Sequence, residues 1–200
     1  EAGKAELKTS FFPTYGVMFR NHYGTPHETS MLFRAGQNWS HWDTDVYNVI
    51  LYGKGAPLSP GTGYGYGPRW ISANNAVYHN RVKIVAHNKK EIFGRVDAPI
   101  RDYGFGRFVD YAMGDRYYPP ELYEDGKERH WRRHVLFVKG QAPEDPTYFV
   151  MRDTFPGNPG TDRSWWTWLN LGEADDILVD GRPLDPKATP RNEVPELEKL

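Results

Sequence analysis

Short runs rich in β-branched and aromatic residues recur along this chain at close spacing, and glycine or proline fills most of the gaps between them. The runs fall at 16–20, 29–34, 46–52, 81–86, 106–112, 134–139, 148–152, 165–169 and 177–179. Runs of this length and composition favour strands over helices. The intervening segments Tyr23-Gly24-Thr25-Pro26, Tyr118-Pro119-Pro120 and Phe155-Pro156-Gly157-Asn158-Pro159-Gly160 turn the chain through fixed or positive φ. Helices have almost nowhere to form. The pattern predicts an all-β fold, a large antiparallel β-sandwich.

The 200 residues suffice for one hydrophobic core, so a single sandwich domain is expected over 1–184. The polar, Pro-spaced segment 185–200 (DPKATPRNEVPELEKL) reads as a surface tail or linker. With 25 basic and 26 acidic residues there is no broad positive field to hold nucleic acid. No apolar run approaches the roughly 18 residues that a membrane helix needs. The chain has no cysteine, which excludes disulfides and thiolate metal ligands. It starts without Met and without the charged-then-apolar order of a secretory leader, so it is expected to be a piece of a larger protein, with a mature secreted chain as the alternative. An aromatic content of 15% supplies rings that suit either a core or the faces of sugars.

Three regions carry residues with chemical potential. In 38–45 (NWSHWDTD), His41, Asp43 and Asp45 alternate onto one face if the segment is extended, a face that holds a cation or fixes a His tautomer; on these residues alone a solvated strand entrance is the favoured reading. His79 and Asn80 precede the run at 81–86 and serve either as ligands or as a local turn device. The segment 54–68 (KGAPLSPGTGYGYGP) is expected to be an irregular loop whose backbone passes close to a ligand, or a plain wide connection. Downstream, His130 and His134 flank Trp131-Arg132-Arg133, whose arginines pair with a sugar carboxylate or with structural acids.

The order of these segments resembles one family. His41-x-Asp43, the run at 46–52, Gly53-Lys54-Gly55-Ala56-Pro57-Leu58, Ser59-Pro60-Gly61-Thr62-Gly63-Tyr64 and His79-Asn80-Arg81-Val82 are similar to the motif series of the heparinase II/III-like polysaccharide lyases and the related exo-acting alginate lyases. The likeness continues through Arg133-His134-Val135-Leu136-Phe137-Val138-Lys139 and 145–153. It implies the C-terminal sandwich of a lyase that normally carries an N-terminal α/α-toroid, acts on an acidic uronic-acid polysaccharide by β-elimination, and is periplasmic or secreted. On this resemblance His41 and Tyr64 are the expected catalytic groups. The substrate contacts would be Trp39, Trp42, Tyr66, Arg69 and Asn80, and the zinc ligands His41, Asp43 and His79. Two positions depart from the family pattern: Ser59 stands where an Asp ligand is usual, and Trp39 where a His is usual. Those departures keep a second expectation open, a carbohydrate-binding or scaffolding module that no longer cleaves.

Overall fold

The structure, a computed structural model, describes residues 7–37, 45–53, 55–59, 79–83 and 97–157, together with the backbone of 166–167, 178–179 and 182–183. In chain order the strands are β1 (Ser10–Phe12), β2 (Gly16–Asn21), β3 (Thr29–Arg34), β4 (Gly36–Gln37), β5 (Val49–Gly53), β6 (Ala56–Ser59), β7 (Val82–Lys83) and β8 (Asp97–Ala98). They continue as β9 (Ile100–Phe105), β10 (Val109–Tyr118), β11 (Arg129–Val138), β12 (Tyr148–Thr154), β13 (Trp166–Thr167), β14 (Leu178–Val179) and β15 (Arg182–Pro183). Among the described residues there is no α-helix, and one 3-10 turn, Pro120–Leu122, follows the predicted Pro-Pro stop.

Two antiparallel sheets make up the body, a five-stranded one in the order β1-β2-β3-β5-β6 and a four-stranded one in the order β12-β11-β10-β9. Three further two-stranded pairs are β4–β8, β7–β13 and β14–β15, of which β8 lies against β10. The sandwich expected from the sequence is therefore the observed fold. The tail expected at 185–200 lies outside the described residues. No helix among the described residues is long and apolar enough to cross a membrane.

The inner faces meet through buried apolar side chains that alternate with more exposed ones along each strand. From the five-stranded sheet come Val17, Phe19, Met31, Phe33 and Val49, and from the four-stranded sheet Ala112, Trp131, Val135 and Phe137, all buried. Phe137 stacks on Phe149 at 4.2 Å, and Phe19 meets both rings edge-on near 6 Å. Such offset and T-shaped contacts add about 0.5–1.5 kcal/mol each beyond area burial. Trp131 and Tyr118 thus serve the core and not a sugar platform.

The run expected at 106–112 is observed as Val109–Tyr118 and the one expected at 134–139 as Arg129–Val138, and two other boundaries shift for a local reason. The run expected from residue 46 begins as a strand only at Val49, because Tyr47 adopts φ +56 and breaks the extended chain. The segment 54–68 is not irregular throughout: after Gly55 (φ +80) its residues Ala56–Ser59 pair with β5 as an edge strand. Pro57 is tolerated there because an edge position leaves the missing donor unneeded.

Candidate functional site

The described residues on either side of the Gly-rich connection are Ser59 and His79-Asn80, and Asn80 joins them beside β5. Asn80 performs the closure. Its side-chain amide donates to the Val49 carbonyl at 2.8 Å and to the Ser59 carbonyl at 3.4 Å, while its backbone N–H donates to Asn48 Oδ1 at 2.8 Å. Ser59, His79 and Asn80 are each no more than 2% exposed. The backbone N–H of Arg81 donates to the His79 carbonyl at 2.8 Å, which tightens the turn into β7.

Below this closure sits Arg133, 1% exposed, on the inner face of β11. Its Nε and Nη2 donate to the two oxygens of Asp153 at 2.9 and 2.8 Å, and its Nη1 donates to the carbonyls of Tyr47 and Asn80 at 2.8 and 2.7 Å. Trp131 Nε1 donates to Asp153 at 2.7 Å, and the Arg133 and Arg81 guanidinium groups lie 5.2 and 5.4 Å from the Trp131 ring. A buried cation needs this degree of pairing, since its desolvation costs several kcal/mol. One guanidinium therefore ties three separate chain segments together: β12, the turn before β5, and the end of the Gly-rich connection.

Tyr47 completes the arrangement. Its ring is fully buried between Phe33 and Trp131, at 5.5 and 5.2 Å between centroids, and its hydroxyl donates to the Pro99 carbonyl at 2.9 Å. Burial, and after it the Asp115 charge, pushes the phenol well above the ordinary tyrosine range, so it stays a neutral donor. Its positive φ costs on the order of 1–3 kcal/mol and is held by hydrogen bonds on both sides, Tyr47 N–H to the Arg34 carbonyl and Arg34 N–H to the Asn48 carbonyl.

Of the residues expected to act, the structure places His79, Asn80, Ser59 and Asp45. Asn80, expected to touch substrate, turns its amide onto β5 and β6 backbone. Asp45 pairs with Arg34 at 3.2 Å. His41, Tyr64, Trp39, Trp42, Tyr66, Arg69 and Asp43 lie outside the described residues. Of the expected zinc set only His79 is therefore described, and no group of three His, Cys, Asp or Glu side chains able to hold a metal occurs among the described residues. Ser59 brings no carboxylate to the position where one was expected.

The two arginines of 131–133 separate onto opposite faces. Arg133 is the internal tie, whereas Arg132 pairs on the outer face with Asp115 at 2.7 Å, together with His130 at 2.7 Å. Burial pushes the Asp115 carboxyl up, yet the hydrogen bonds and charges of His130 and Arg132 outweigh it and hold the group below the usual carboxylate range. Both arginines thus follow the salt-bridge alternative. Sequence reasoning missed Asn48 and Tyr47; a Tyr within a strand-like run gives no signal of positive φ.

No protein-family model matches the sequence, and no curated protein matches it. Among solved structures, the chain is similar to a heparinase III, the BT4657 gene product, with a TM-score of 0.67 and 20% identity over 90% of this chain. A second structure of that gene product, with methylated lysines, gives a TM-score of 0.50 and 17% identity over 71% of this chain. The chain spans about a quarter of the length of these proteins, 26% and 23%. The fold is thus a heparinase-like β-sandwich.

Proposed function

We propose that this chain is the sandwich part of a polysaccharide lyase that cleaves an acidic, uronic-acid polysaccharide by β-elimination. The observation that carries this reading is the likeness to heparinase III across 90% of the chain, in a sequence that also has the ordered lyase-like motifs. In the reaction a base removes the proton alpha to the sugar carboxylate, the bond to the leaving glycosidic oxygen breaks, a carbon–carbon double bond forms, and the oxygen takes up a proton. Neutralising the carboxylate is the central electrostatic demand, because its negative charge opposes a second one next to it.

In this reading Tyr64 is the proton-transfer group contributed by this chain, His41 serves as a metal ligand, and Trp39, Trp42, Tyr66 and Arg69 line the sugar path. Asn80 acts as a brace. The buried ties among Asn80, Arg133 and Asp153 fix where the Gly-rich connection leaves and rejoins the sandwich, which is the positional accuracy a proton transfer requires. We assign His41, Asp43 and His79 as a metal set whose service is to hold that connection in place; no chemical step runs through it. The remaining catalytic groups would come from a helical toroid elsewhere in the same protein, which is secreted or periplasmic in this reading.

The test is an assay of the full-length protein against a panel of acidic glycans, following unsaturated uronyl product, with Tyr64→Phe and His41→Ala beside the unaltered protein. Turnover that falls by about 100-fold or more in either variant supports the assignment. No product from any glycan removes it. The second reading, a module that binds glycan without cleaving, draws on Ser59 and Trp39 in place of an Asp and a His; stable binding without product would select it.

A further inference from the structure

A cavity of about 560 Å³ opens at the far end of the sandwich from Asn80, where the β9–β10 turn and the segment after β11 approach the N-terminal strand. The strand register fixes this separation. Arg133 pairs with Asp153 midway along β11, and Lys139 follows the end of that strand, six residues on and therefore about 20 Å away. Nothing in the lyase reading uses this end.

Four cationic side chains line the cavity, Lys8, Arg20, Arg107 and Lys139, against one carboxylate, Asp110. That carboxylate is already satisfied. Asp110 is fully buried, and its Oδ2 accepts from the Thr9 hydroxyl at 2.6 Å. Its Oδ1 accepts from Lys139 Nζ at 2.8 Å and from the Gly106 N–H at 3.1 Å. Lys139 and Asp110 thus cancel, and three positive charges remain on the wall.

Among the described residues no acid answers those three. Lys8, Arg20 and Arg107 take part in no ion pair among the described residues. They are nonetheless positioned. Arg20 Nη1 donates to the Lys8 carbonyl at 3.0 Å, and Arg107 Nε donates to Gln141 Oε1 at 3.3 Å, so each guanidinium is anchored by one N–H while others stay available. Arg20 further lies 5.7 Å from the Tyr23 ring and Arg107 5.0 Å from the Phe108 ring. His22, also on the wall, keeps a buried Nε2 that has no hydrogen-bond partner among the described residues. Anchored guanidinium groups around a concave, uncompensated site match the fork geometry of sulfate or carboxylate oxygens.

We infer that this cavity is a binding site for an oxyanion of the sulfate or carboxylate class. The site is independent of the lyase assignment, since it uses none of the residues given to cleavage. Its volume admits a sugar ring bearing such a group as well as the free anion, and the two sources share the same recognition chemistry.

The experiment is calorimetric titration of the full-length protein with inorganic sulfate, with a sulfated disaccharide and with the uncharged disaccharide, repeated on Arg20→Gln/Arg107→Gln. The proposal expects binding of a charged ligand that weakens about tenfold or more in the double variant, with no binding of the uncharged sugar. Tighter binding of the sulfated disaccharide than of sulfate assigns a saccharide, and equal binding assigns the free anion. Because Arg20 also holds the Lys8 carbonyl, Lys8→Gln/Arg107→Gln serves as a second charge-removing variant, with thermal unfolding of both confirming the fold. Charged ligands that bind neither protein, or bind folded variants as well as the unaltered one, overturn the proposal, whatever the lyase assay shows.

Discussion

Arg133 and Asp153 face each other across β11 and β12 in a two-point ion pair at 2.9 and 2.8 Å, and the guanidinium's third arm holds the carbonyls of Tyr47 and Asn80. The pair is enclosed, with the two side chains 1% and 17% exposed. Asp153→Ala leaves a buried cation without its counter-charge and is expected to destabilise the protein by about 3–5 kcal/mol. The loss also reaches the Trp131 indole, which donates to the same carboxylate. Urea unfolding of the two proteins checks it; a loss under about 1 kcal/mol contradicts the assigned tie.

Gly114 is expected to resist any side chain. A Cβ there would stand 2.3 Å from Cε1 of the Tyr47 ring, itself packed against Trp131 and fixed by its bond to Pro99. Gly114→Ala should cost about 1–3 kcal/mol from overpacking. Tyr47→Phe, which loses only the hydroxyl bond, should cost about 1 kcal/mol. The pair of variants in one unfolding series separates crowding from hydrogen bonding.

Asn80→Ala removes the amide that bridges β5 and β6 and leaves the Val49 carbonyl buried without that donor. The expected loss is about 1–3 kcal/mol. If the bracing role is right, lyase turnover by the full-length protein falls while the affinity for glycan changes little. A variant that loses glycan binding first would instead make Asn80 a contact.

The acid side of the stability profile is expected to carry a signature of Asp115. Its carboxyl is held below the ordinary value of 3.8 by His130 and Arg132, so its contribution to stability is complete above that value and is lost as pH falls through the lowered one. Asp115→Asn should therefore be less stable than the unaltered protein at neutral pH, and the gap should close in strong acid. Denaturant titrations at a series of pH values measure the gap directly; a gap that does not change with pH contradicts the pairing.

How much of this was legible in the sequence depended on the chemistry of each face. The runs at 16–20, 29–34 and 148–152 announce β2, β3 and β12, each marked by three or four consecutive apolar or aromatic residues. β11 was foreseen only from residue 134, although it starts at Arg129, because two of its inward positions are Arg129 and Arg133. An arginine reads as a surface residue until its partner is known, and Asp153 is 20 positions away. β9 was missed altogether: IRDYGF is an exposed edge with no apolar period to betray it. The closeness of Ser59 and Asn80 had a sequence clue in the motif order, but the residues that hold the neighbourhood, the Asn48 side-chain oxygen Oδ1 and the left-handed Tyr47, had none.

The metal set assigned to His41, Asp43 and His79 predicts about one zinc per chain in the purified full-length protein, reduced in His79→Ala. Elemental analysis reads the content, and a chelator should lower the unfolding temperature of the unaltered protein more than that of the variant. Equal zinc content in both, or none in either, removes the metal from the account.

The most direct test of the central claim is the mass of the product released when the full-length protein acts on an acidic polysaccharide. β-Elimination predicts fragments with an unsaturated uronyl end, lighter by one water than those of hydrolysis. Fragments that have taken up water, or an intact polymer held without cleavage, would contradict it.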